Sequence, residues 1–350
     1  MNLEEIHRVD PDGMYKCILD FPKQVEEAFK IGKSAVVPIK SRGVTSIVIT
    51  GLGGSAIGGD LLRAYLADEI AVPITVNRHY ILPEFVGSKT LVIVSSYSGN
   101  TEETISAQRD ATKRKAKVLC ISTGGEVTDF ASKHKQPCIK TPGGLQPRAA
   151  LGYSFFPLLV ALGKCGFVQS KDKDIRETIA LLKKKALQYG NADDNDNPAL
   201  ALAEKLHGKL AIIYSSSHRL DAVNLRWRGQ IEENAKQLAY GNLLPEMNHN
   251  ELVGWNMLKE LLEQTHVIFL RDKGEHSRVS VRHDITSKII AQYTSGVTEV
   301  WSEGTSLLTR LFSLIQFGDW VSFYLAILNN QDPTPVKAID LLKTQLASVR

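Results

Sequence analysis

The chain has 350 residues, with 42 Lys and Arg against 38 Asp and Glu, and its formal net charge is +4. A composition of 43% hydrophobic and 23% charged residues is ordinary for a globular protein and excludes a disordered or collagen-like chain. The length favours about two domains of roughly 150 residues. So small a net charge gives no reason to expect a nucleic-acid partner.

The cysteines and the apolar stretches bear on the compartment. No CxxC pair occurs among the four cysteines, which we interpret as buried free thiols in a reducing environment: Cys17, Cys120, Cys138 and Cys165. The N-terminus is charged and polar, unlike a signal peptide. The longest apolar stretch, 151–163, is too short to span a bilayer. We therefore expect a cytoplasmic protein with no membrane partner.

The first half of the chain alternates apolar strands with helices. Residues 1–40 are predicted to form peripheral helices, because apolar side chains recur there at helical spacing. Continuous apolar runs predict four strands: 44–50, 71–78, 90–96 and 117–122. Helices are predicted between them, at 57–65 and 101–113. This alternation indicates a parallel sheet that is covered on both faces.

A charged segment separates the two halves. Residues 169–200 combine a charged helix with a polar tract, 191–198, for which we expect an exposed linker. Strands are then predicted at 210–216, 266–271 and 298–302, followed by a long apolar helix over 306–329 and a shorter helix after Pro335. The sequence thus predicts an α/β fold with two similar αβα units, 1–168 and 201–350.

A glycine-rich segment, GLGGSAIGGD (51–60), follows the first predicted strand and opens a helix. Glycines at this place let backbone N–H groups approach an anion. The pattern Gly51-x-Gly53-x-x-Ala56 matches the dinucleotide fingerprint, but the next strand ends in Asn77-Arg78 rather than in an acidic residue. Arg78 would suit a 2′-phosphate. An NADP-dependent oxidoreductase therefore stays open as an alternative, as does a tight turn without a ligand.

A hydroxyl-rich segment, SSYSGNTEET (95–104), also links an apolar strand to a helix. Ser96, Ser98 and Thr101 lie beside Gly99, and hydroxyls with free N–H groups suit a phosphate monoester. No lysine of the Walker type follows, which excludes a nucleotide P-loop. The alternative is that Thr101 simply caps the helix.

Two further segments carry charged candidates for acid–base chemistry. Arg148 precedes an apolar helix and would face a substrate oxyanion, unless it is a solvated loop residue. Glu233 lies on a predicted helix, and His249 follows in a polar block with Glu246 and Glu251. A histidine and a glutamate together suit proton transfer near neutral pH. The alternatives are a solvated helix face and a zinc site, but the block has only one histidine.

Taken together and in this order, five strings resemble the bifunctional phosphoglucose/phosphomannose isomerase family of the sugar isomerase (SIS) superfamily: GLGGSAIGGD, SSYSGNTEET, PRAALGYSF, QIEENAK and PEMNHNE. The resemblance runs from about Phe21 to the C-terminal DPTPVKAIDLLK. It implies two SIS-type αβα sandwich domains with mostly parallel sheets. It also implies a homodimer, and neither a cofactor nor a metal.

The same resemblance implies roles for individual residues. Five residues match the phosphate-binding positions: Gly54, Ser55, Ser96, Ser98 and Thr101. Arg148 matches an arginine near the enediolate, and Glu233 matches the catalytic base. His249 matches a ring-opening histidine that reaches in from the neighbouring subunit.

Near the C-terminus the family uses a lysine and a threonine. Lys343 matches the lysine, with Lys337 as the alternative. Thr334 matches the threonine, which stands where classical glucose isomerases carry a larger glutamine and which implies tolerance of both epimers.

The expected activity is therefore the interconversion of fructose 6-phosphate with glucose 6-phosphate and mannose 6-phosphate. The reaction would be metal-independent and would pass through a cis-enediolate, with Glu233 as the base. The alternative is a non-catalytic sugar-phosphate sensor with the same fold. Such a sensor would keep the phosphate loop and lose the Glu233 and His249 pair, both of which this sequence contains.

Overall fold

The computed structural model describes residues 1–194 and 196–349, so Asn195 of the polar tract and the C-terminal Arg350 lie outside the described residues. The described chain forms two sheets in which every strand pair is parallel. The first sheet has the order β2-β1-β3-β4-β5 and the second has the order β7-β6-β8-β9. The predicted α/β architecture is confirmed.

The first sheet contains β1 (Ser46–Thr50), β2 (Ile74–Asn77), β3 (Thr90–Ser95), β4 (Lys117–Ser122) and β5 (Cys138–Lys140). Every residue of β1 and β3 is buried, which explains their uninterrupted apolar runs. All four predicted strands of this half are confirmed. Strand β5 was not predicted, because three residues at a sheet edge carry no periodic pattern.

The second sheet contains β6 (Leu210–Ser216), β7 (Ala239–Leu244), β8 (Thr265–Arg271) and β9 (Val297–Trp301). Three of these strands match the predicted ones. Strand β7 was missed, because it lies at the sheet edge and only Leu244 in it is buried. The polar block that carries His249 therefore follows a strand and not a helix.

The helices cover both sheets: α1 (Leu3–Val9), α2 (Met14–Leu19), α3 (Phe21–Ser34), α4 (Gly53–Leu66), α5 (Glu102–Lys113), α6 (Gly125–Lys133), α7 (Leu151–Cys165), α8 (Asp172–Tyr189), α9 (Pro198–Leu206), α10 (Asp221–Ala235), α11 (Glu251–Gly254), α12 (Lys259–Leu262), α13 (Ser277–Ile290), α14 (Leu307–Leu328) and α15 (Lys337–Ser348). Two short 3₁₀ helices, Pro147–Ala150 and Glu246–His249, carry Arg148 and His249.

The predicted helix over 306–329 is α14, the central helix of the core. It is long and apolar enough to cross a membrane, but 89% of its most apolar window is buried inside the protein. It packs against α8, α9 and α10. Because its apolar surface is covered by these helices, its composition is that of a core helix.

Two expectations about the periphery need correction. Helix α3 is not peripheral, since Phe21, Val25 and Ala28 are buried and the helix packs against α7. Helix α8 packs its apolar face on α3 and α14, so it holds the two units together. The following tract is not wholly an exposed linker, because Asn197 is buried and its side chain caps α9.

Candidate active site

A crevice opens at the carboxyl edge of the first sheet, between β1 and β3. The chain leaves β1 for β2 on one side and β3 lies on the other side, which is the point where open parallel sheets bind ligands. Helix α4 begins here at Gly53 and α5 begins here at Glu102. The first N–H groups of a helix have no intrahelical partner, and in the described structure neither N-cap residue, Leu52 or Thr101, caps its helix with its side chain, so these groups can bind an anion.

The structure gathers the predicted hydroxyls in this crevice. Ser55 Oγ accepts a hydrogen bond from the backbone N–H of Tyr97 at 3.0 Å, which joins the two loops. Ser96 Oγ donates to Thr101 Oγ1 at 3.2 Å, and Ser98 stands exposed on the same loop. Thr101 occupies the N-cap position of α5, but its side chain makes no capping hydrogen bond. The interpretation of Thr101 as a simple cap is therefore wrong.

Two glycines are required by the geometry of the crevice. A Cβ on Gly54 would lie 2.3 Å from the carbonyl oxygen of Pro147, so only glycine lets α4 approach the loop that carries Arg148. Gly99 has a φ of +73°, and a Cβ there would lie 1.8 Å from the carbonyl oxygen of Gly124. Glycine at each of these two positions thus allows two backbone segments to approach each other closely.

Arg148 links the first unit to the second. Its Nε donates to Asn234 Oδ1 at 2.7 Å, and its Nη1 lies 3.4 Å from Glu233 Oε2. Its Nη2 donates to two carbonyl oxygens of the C-terminal turn, those of Pro333 and Thr334. The side chain is only 3% exposed, so the solvated-loop interpretation is wrong. Burial lowers the pKa of Arg148, and the neighbouring Glu233 carboxylate opposes this shift.

Helix α10 holds Glu233 at the junction of the two units. Arg226 and Gln230 on this helix both bond to the carboxylate of Asp319 on α14, at 2.8 and 2.9 Å. Burial raises the pKa of Asp319, and the Arg226 guanidinium opposes this. Asn234 donates to Ser322 Oγ at 3.0 Å. This face of α10 is therefore anchored and not solvated, while the Glu233 side chain remains about one-third exposed.

A small cavity of about 170 Å³ lies between α4 and α10. Arg148 and Glu233 border it together with the glycine-rich start of α4. Gly54 is shared between this cavity and the crevice, so a ligand with its anionic end in the crevice can extend past Gly54 to Glu233. The lining is completed by Gly53, Ile57, Arg78, Leu225, Arg226, Gly229 and Gln230.

His249 lies away from this cavity, exposed at the end of the second 3₁₀ helix. The residues around it are fixed: Asn248 donates to Thr286 Oγ1 at 2.8 Å, and Glu251 accepts hydrogen bonds from Tyr214 and Asn242. No hydrogen bond of the His249 side chain is found in the described residues. Within one chain the structure therefore does not bring His249 to Glu233.

The zinc alternative depends on the side chains that surround His249. Within residues 1–194 and 196–349, no three His, Cys, Asp or Glu side chains come together as a set that would hold a metal ion. The zinc alternative needed Glu246 or Glu251 as a second ligand. Both carboxylates are engaged by neighbours, Glu246 by Asn250 and Glu251 by Tyr214 and Asn242.

The three candidate residues near the C-terminus, Thr334, Lys337 and Lys343, lie at different places in the structure. Thr334 lies against Arg148, and its buried Oγ1 has no hydrogen-bond partner in the described part of the chain. Lys337 borders an open groove of about 690 Å³ that also contains Glu233. Lys343 is exposed on α15, six residues or about 9 Å further along the helix. Of the two lysines, Lys337 is the one that lines the same groove as Glu233.

Sequence reasoning missed Lys236, the lysine of the ENAK string. It ends α10 with a φ of 55°, and its Nζ donates to the carbonyl oxygens of Glu233 and Pro333. Burial, assisted by the nearby Arg148 cation, lowers the pKa of Lys236 to about 8. Its position three residues after Glu233 was the available signal, but only the reversal of the chain at the helix end brings it back to the site.

Comparison with known proteins shows which proteins this chain is similar to. The chain is 47% identical over 338 residues to a bifunctional phosphoglucose/phosphomannose isomerase of Caldicellulosiruptor bescii, covering 96% of this chain and 100% of the relative. It is 35% identical over 305 residues to a protein of the same name from Thermoplasma acidophilum, covering 87% and 90% of the two chains.

The fold and a family model agree with these matches. A solved structure of a hypothetical protein from Thermus thermophilus superposes with a TM-score of 0.76 at 17% identity, covering 99% of this chain and 93% of the other, which shows a shared fold. Residues 195–346 match the model of the bacterial phospho-glucose isomerase C-terminal SIS domain. The extent and identity of these matches show that the chain belongs to the family of bifunctional phosphoglucose/phosphomannose isomerases.

Proposed function

We propose that this sugar-phosphate isomerase interconverts fructose 6-phosphate with glucose 6-phosphate and mannose 6-phosphate by metal-independent proton transfer through a cis-enediolate. The observation that carries the proposal is the contact between Arg148 and Glu233 at a cavity that adjoins the hydroxyl-lined crevice. The names of the similar proteins support the substrates.

The phosphate is held in the crevice of the first sheet. The hydroxyls of Ser55, Ser96, Ser98 and Thr101 and the free N–H groups of α4 and α5 supply donors without a lysine. Because the phosphate does not react, its binding energy serves to position the sugar. From the crevice the sugar extends past Gly54, so that C1 and C2 lie in the cavity beside Glu233.

Glu233 is the base of the proposed reaction. It removes the proton at C2 of an aldose and delivers it to C1, while Arg148 stabilises the negative charge of the enediolate. Arg148 is suited to this role because protein oxygens fix its guanidinium in place before substrate binds. The enediol carbon is planar, so protonation on either face gives one of the two aldoses. Thr334, whose backbone carbonyl accepts a hydrogen bond from Arg148, is proposed to leave room for both through its small side chain.

Ring opening is assigned to His249 of a neighbouring subunit in a homodimer. His249 is exposed on a firmly anchored segment, which suits a side chain that acts outside its own chain. The chain beyond it presents four apolar side chains that are each more than half exposed, as is typical of a surface that a partner covers: Val253, Met257, Leu258 and Leu261. Lys337, or Lys343 on α15, is the second proton carrier of this step.

The compartment proposed for the enzyme is the cytoplasm. All four cysteines are free thiols, and burial raises the pKa of each, so they stay protonated and unreactive. Such thiols suit a reducing environment.

The test is to incubate the purified protein with fructose 6-phosphate in excess EDTA and to follow the products by NMR. The proposal predicts that glucose 6-phosphate and mannose 6-phosphate both appear. Glucose 6-phosphate alone would remove the mannose activity and keep the Glu233 mechanism. No product, with fructose 6-phosphate still bound, would favour the alternative of a sugar-phosphate sensor.

A further inference from the structure

Arg78 is a charged residue of the cavity that the mechanism above does not use. It follows β2, on the side of β1 opposite to the phosphate crevice. From the sequence it was a candidate for the 2′-phosphate of NADP. The structure places it instead on the lining of the cavity that contains Arg148 and Glu233.

Among the described residues three arginines border this cavity, and Arg78 has the most exposed side chain of the three. The side chains of Arg148 and Arg226 are 3% and 4% exposed, and they are engaged by protein oxygens of both units. The Arg78 side chain is 39% exposed. Of these three side chains, that of Arg78 is therefore the most accessible to a ligand.

Asp60 of α4 holds Arg78 in this position. Both terminal nitrogens of Arg78 point to the Asp60 carboxylate. Nη1 lies 3.4 Å from Oδ1, and Nη2 lies closer to Oδ2. Asp60 is largely buried. Burial raises its pKa, and the Arg78 cation opposes that rise. A guanidinium has five N–H donors, and this pairing uses two, which leaves donors for a ligand.

The cavity has two walls of different origin. Gly53, Ile57 and Arg78 belong to the first unit, whereas Gly229, Gln230 and Glu233 belong to α10 of the second unit. Arg78 and the proposed base thus line the same cavity from different units. A sugar that enters past Gly54 would place its C1–C2 end between these walls.

We propose that Arg78, oriented by Asp60, donates hydrogen bonds to the hydroxyl oxygens at the C1–C2 end of the sugar and so sets the ratio of glucose to mannose product. This inference rests on the function proposed above. Glucose 6-phosphate and mannose 6-phosphate differ only in configuration at C2. The face of the planar C2 that meets Glu233 therefore depends on where the other wall holds the hydroxyls. Asp60 is the positioning residue, and Arg78 is the specificity-determining one.

The experiment measures initial rates of both products from fructose 6-phosphate by NMR, for the wild type, Arg78→Gln and Arg78→Lys. For Arg78→Gln we expect KM to rise about tenfold, as for loss of one charge-assisted hydrogen bond, and the product ratio to change by at least about threefold. Arg78→Lys keeps the charge but loses the planar fork, so its ratio should also shift. Inhibition by inorganic phosphate, which probes the crevice, should not change.

The matched control is Arg114→Gln, which removes another ion-paired arginine, bonded to Asp110 far from the cavity. It should leave both KM and the product ratio unchanged. Folding of each variant is checked by circular dichroism. Arg78→Lys retains the ion pair with Asp60, so it still gives a result if Arg78→Gln does not fold.

Different outcomes separate this inference from the proposed function. An active Arg78→Lys or Arg78→Gln variant with wild-type KM and product ratio would overturn the role of Arg78. Weaker inhibition by inorganic phosphate in these variants would also overturn it, because Arg78 would then belong to the phosphate site. A wild-type protein that makes neither aldose would overturn the proposed function itself.

Discussion

The four strands of the second sheet repeat the order of the first four strands of the first sheet, but the two units differ at the carboxyl ends of these strands. At the carboxyl ends of β1 and β3 the first unit leaves hydroxyls and uncapped helix N-termini free for a ligand. At the equivalent edge of the second sheet, side chains that follow β8 and β9 bond to one another and to α14. Asp272 accepts hydrogen bonds there from Ser302 at 2.5 Å and Arg310 at 2.7 Å.

This difference indicates a division of labour between two similar units. The topology offers a ligand crevice in each, but chemistry depends on the side chains that line it. The first unit binds the phosphate, while the second contributes the base through α10. Two ion pairs, Arg63–Asp221 and Asp68–Arg219, join α4 and the turn after it to the start of α10 and the turn before it. They help to fix α10, which carries Glu233 near its other end, beside α4 of the first unit.

The largest expected effect comes from removing the base that the second unit supplies. Glu233→Gln should lower kcat by about 1000-fold, since it abolishes proton transfer and keeps the shape of the side chain. KM and the midpoint of thermal unfolding should change little. Steady-state kinetics with fructose 6-phosphate checks this, with the exposed neighbour Glu232→Gln as the control. Near-normal turnover in Glu233→Gln would refute the assignment.

Disrupting the hydrogen bonds of Asp272 in the second unit should lower the stability of the protein and leave substrate binding unchanged. Asp272→Asn leaves the largely buried Arg310 without its carboxylate, which should lower the free energy of unfolding by about 3 kcal/mol. Urea denaturation measures this, and KM for fructose 6-phosphate should stay the same. If KM rose instead while stability was unchanged, the second crevice would be a substrate site.

A serine pair compares the two crevices directly. Ser98→Ala removes an exposed hydroxyl of the first crevice and should raise KM about tenfold with little change in kcat, because the phosphate is held equally in ground and transition states. Ser217→Ala removes an exposed serine that follows β6 in the second unit and should change neither constant. Equal effects of the two substitutions on KM would contradict the proposed difference between the crevices.

A smaller, pH-dependent effect is expected at Lys236. Its lowered pKa, about 8, means that its positive charge beside Arg148 and Glu233 is present below pH 8 and is lost above it. We therefore expect kcat/KM to fall a few-fold between about pH 8 and pH 9. Lys236→Arg keeps the positive charge, so the decrease in kcat/KM should begin more than one pH unit higher. The pH profiles of both proteins provide the check, and identical alkaline limbs would exclude Lys236 as the titrating group.

The features that could be predicted from the sequence are formed by residues that are close together along the chain. The crevice of the first unit follows from two strand–loop–helix segments, each continuous in sequence, and the buried strands β1 and β3 carry unbroken apolar runs. The contact of Arg148 with Glu233 joins residues 85 positions apart, and no spacing rule reaches that far. The family resemblance paired them, and the structure supplied the hydrogen bonds.

The misses have physical causes of the same kind. Strand β7 is an edge strand with one buried residue, so its sequence lacks the apolar pattern of a strand and resembled a turn. Helix α8 has a charged outer face that concealed the apolar stripe on its inner face. Arg78 was assigned to a different chemistry, because its place in the cavity depends on how α4 and α10 pack together.

The most direct test of proton transfer by Glu233 is isomerisation of fructose 6-phosphate in D₂O, with the deuterium content at C2 of each product measured by NMR. The Glu233 side chain is about one-third exposed, so a share of the protons that its carboxylate carries should exchange with solvent, and deuterium should appear at part of the C2 positions of both glucose 6-phosphate and mannose 6-phosphate. Products with only protium at C2 would contradict proton transfer through a solvent-accessible Glu233 and favour direct hydride transfer from C1 to C2.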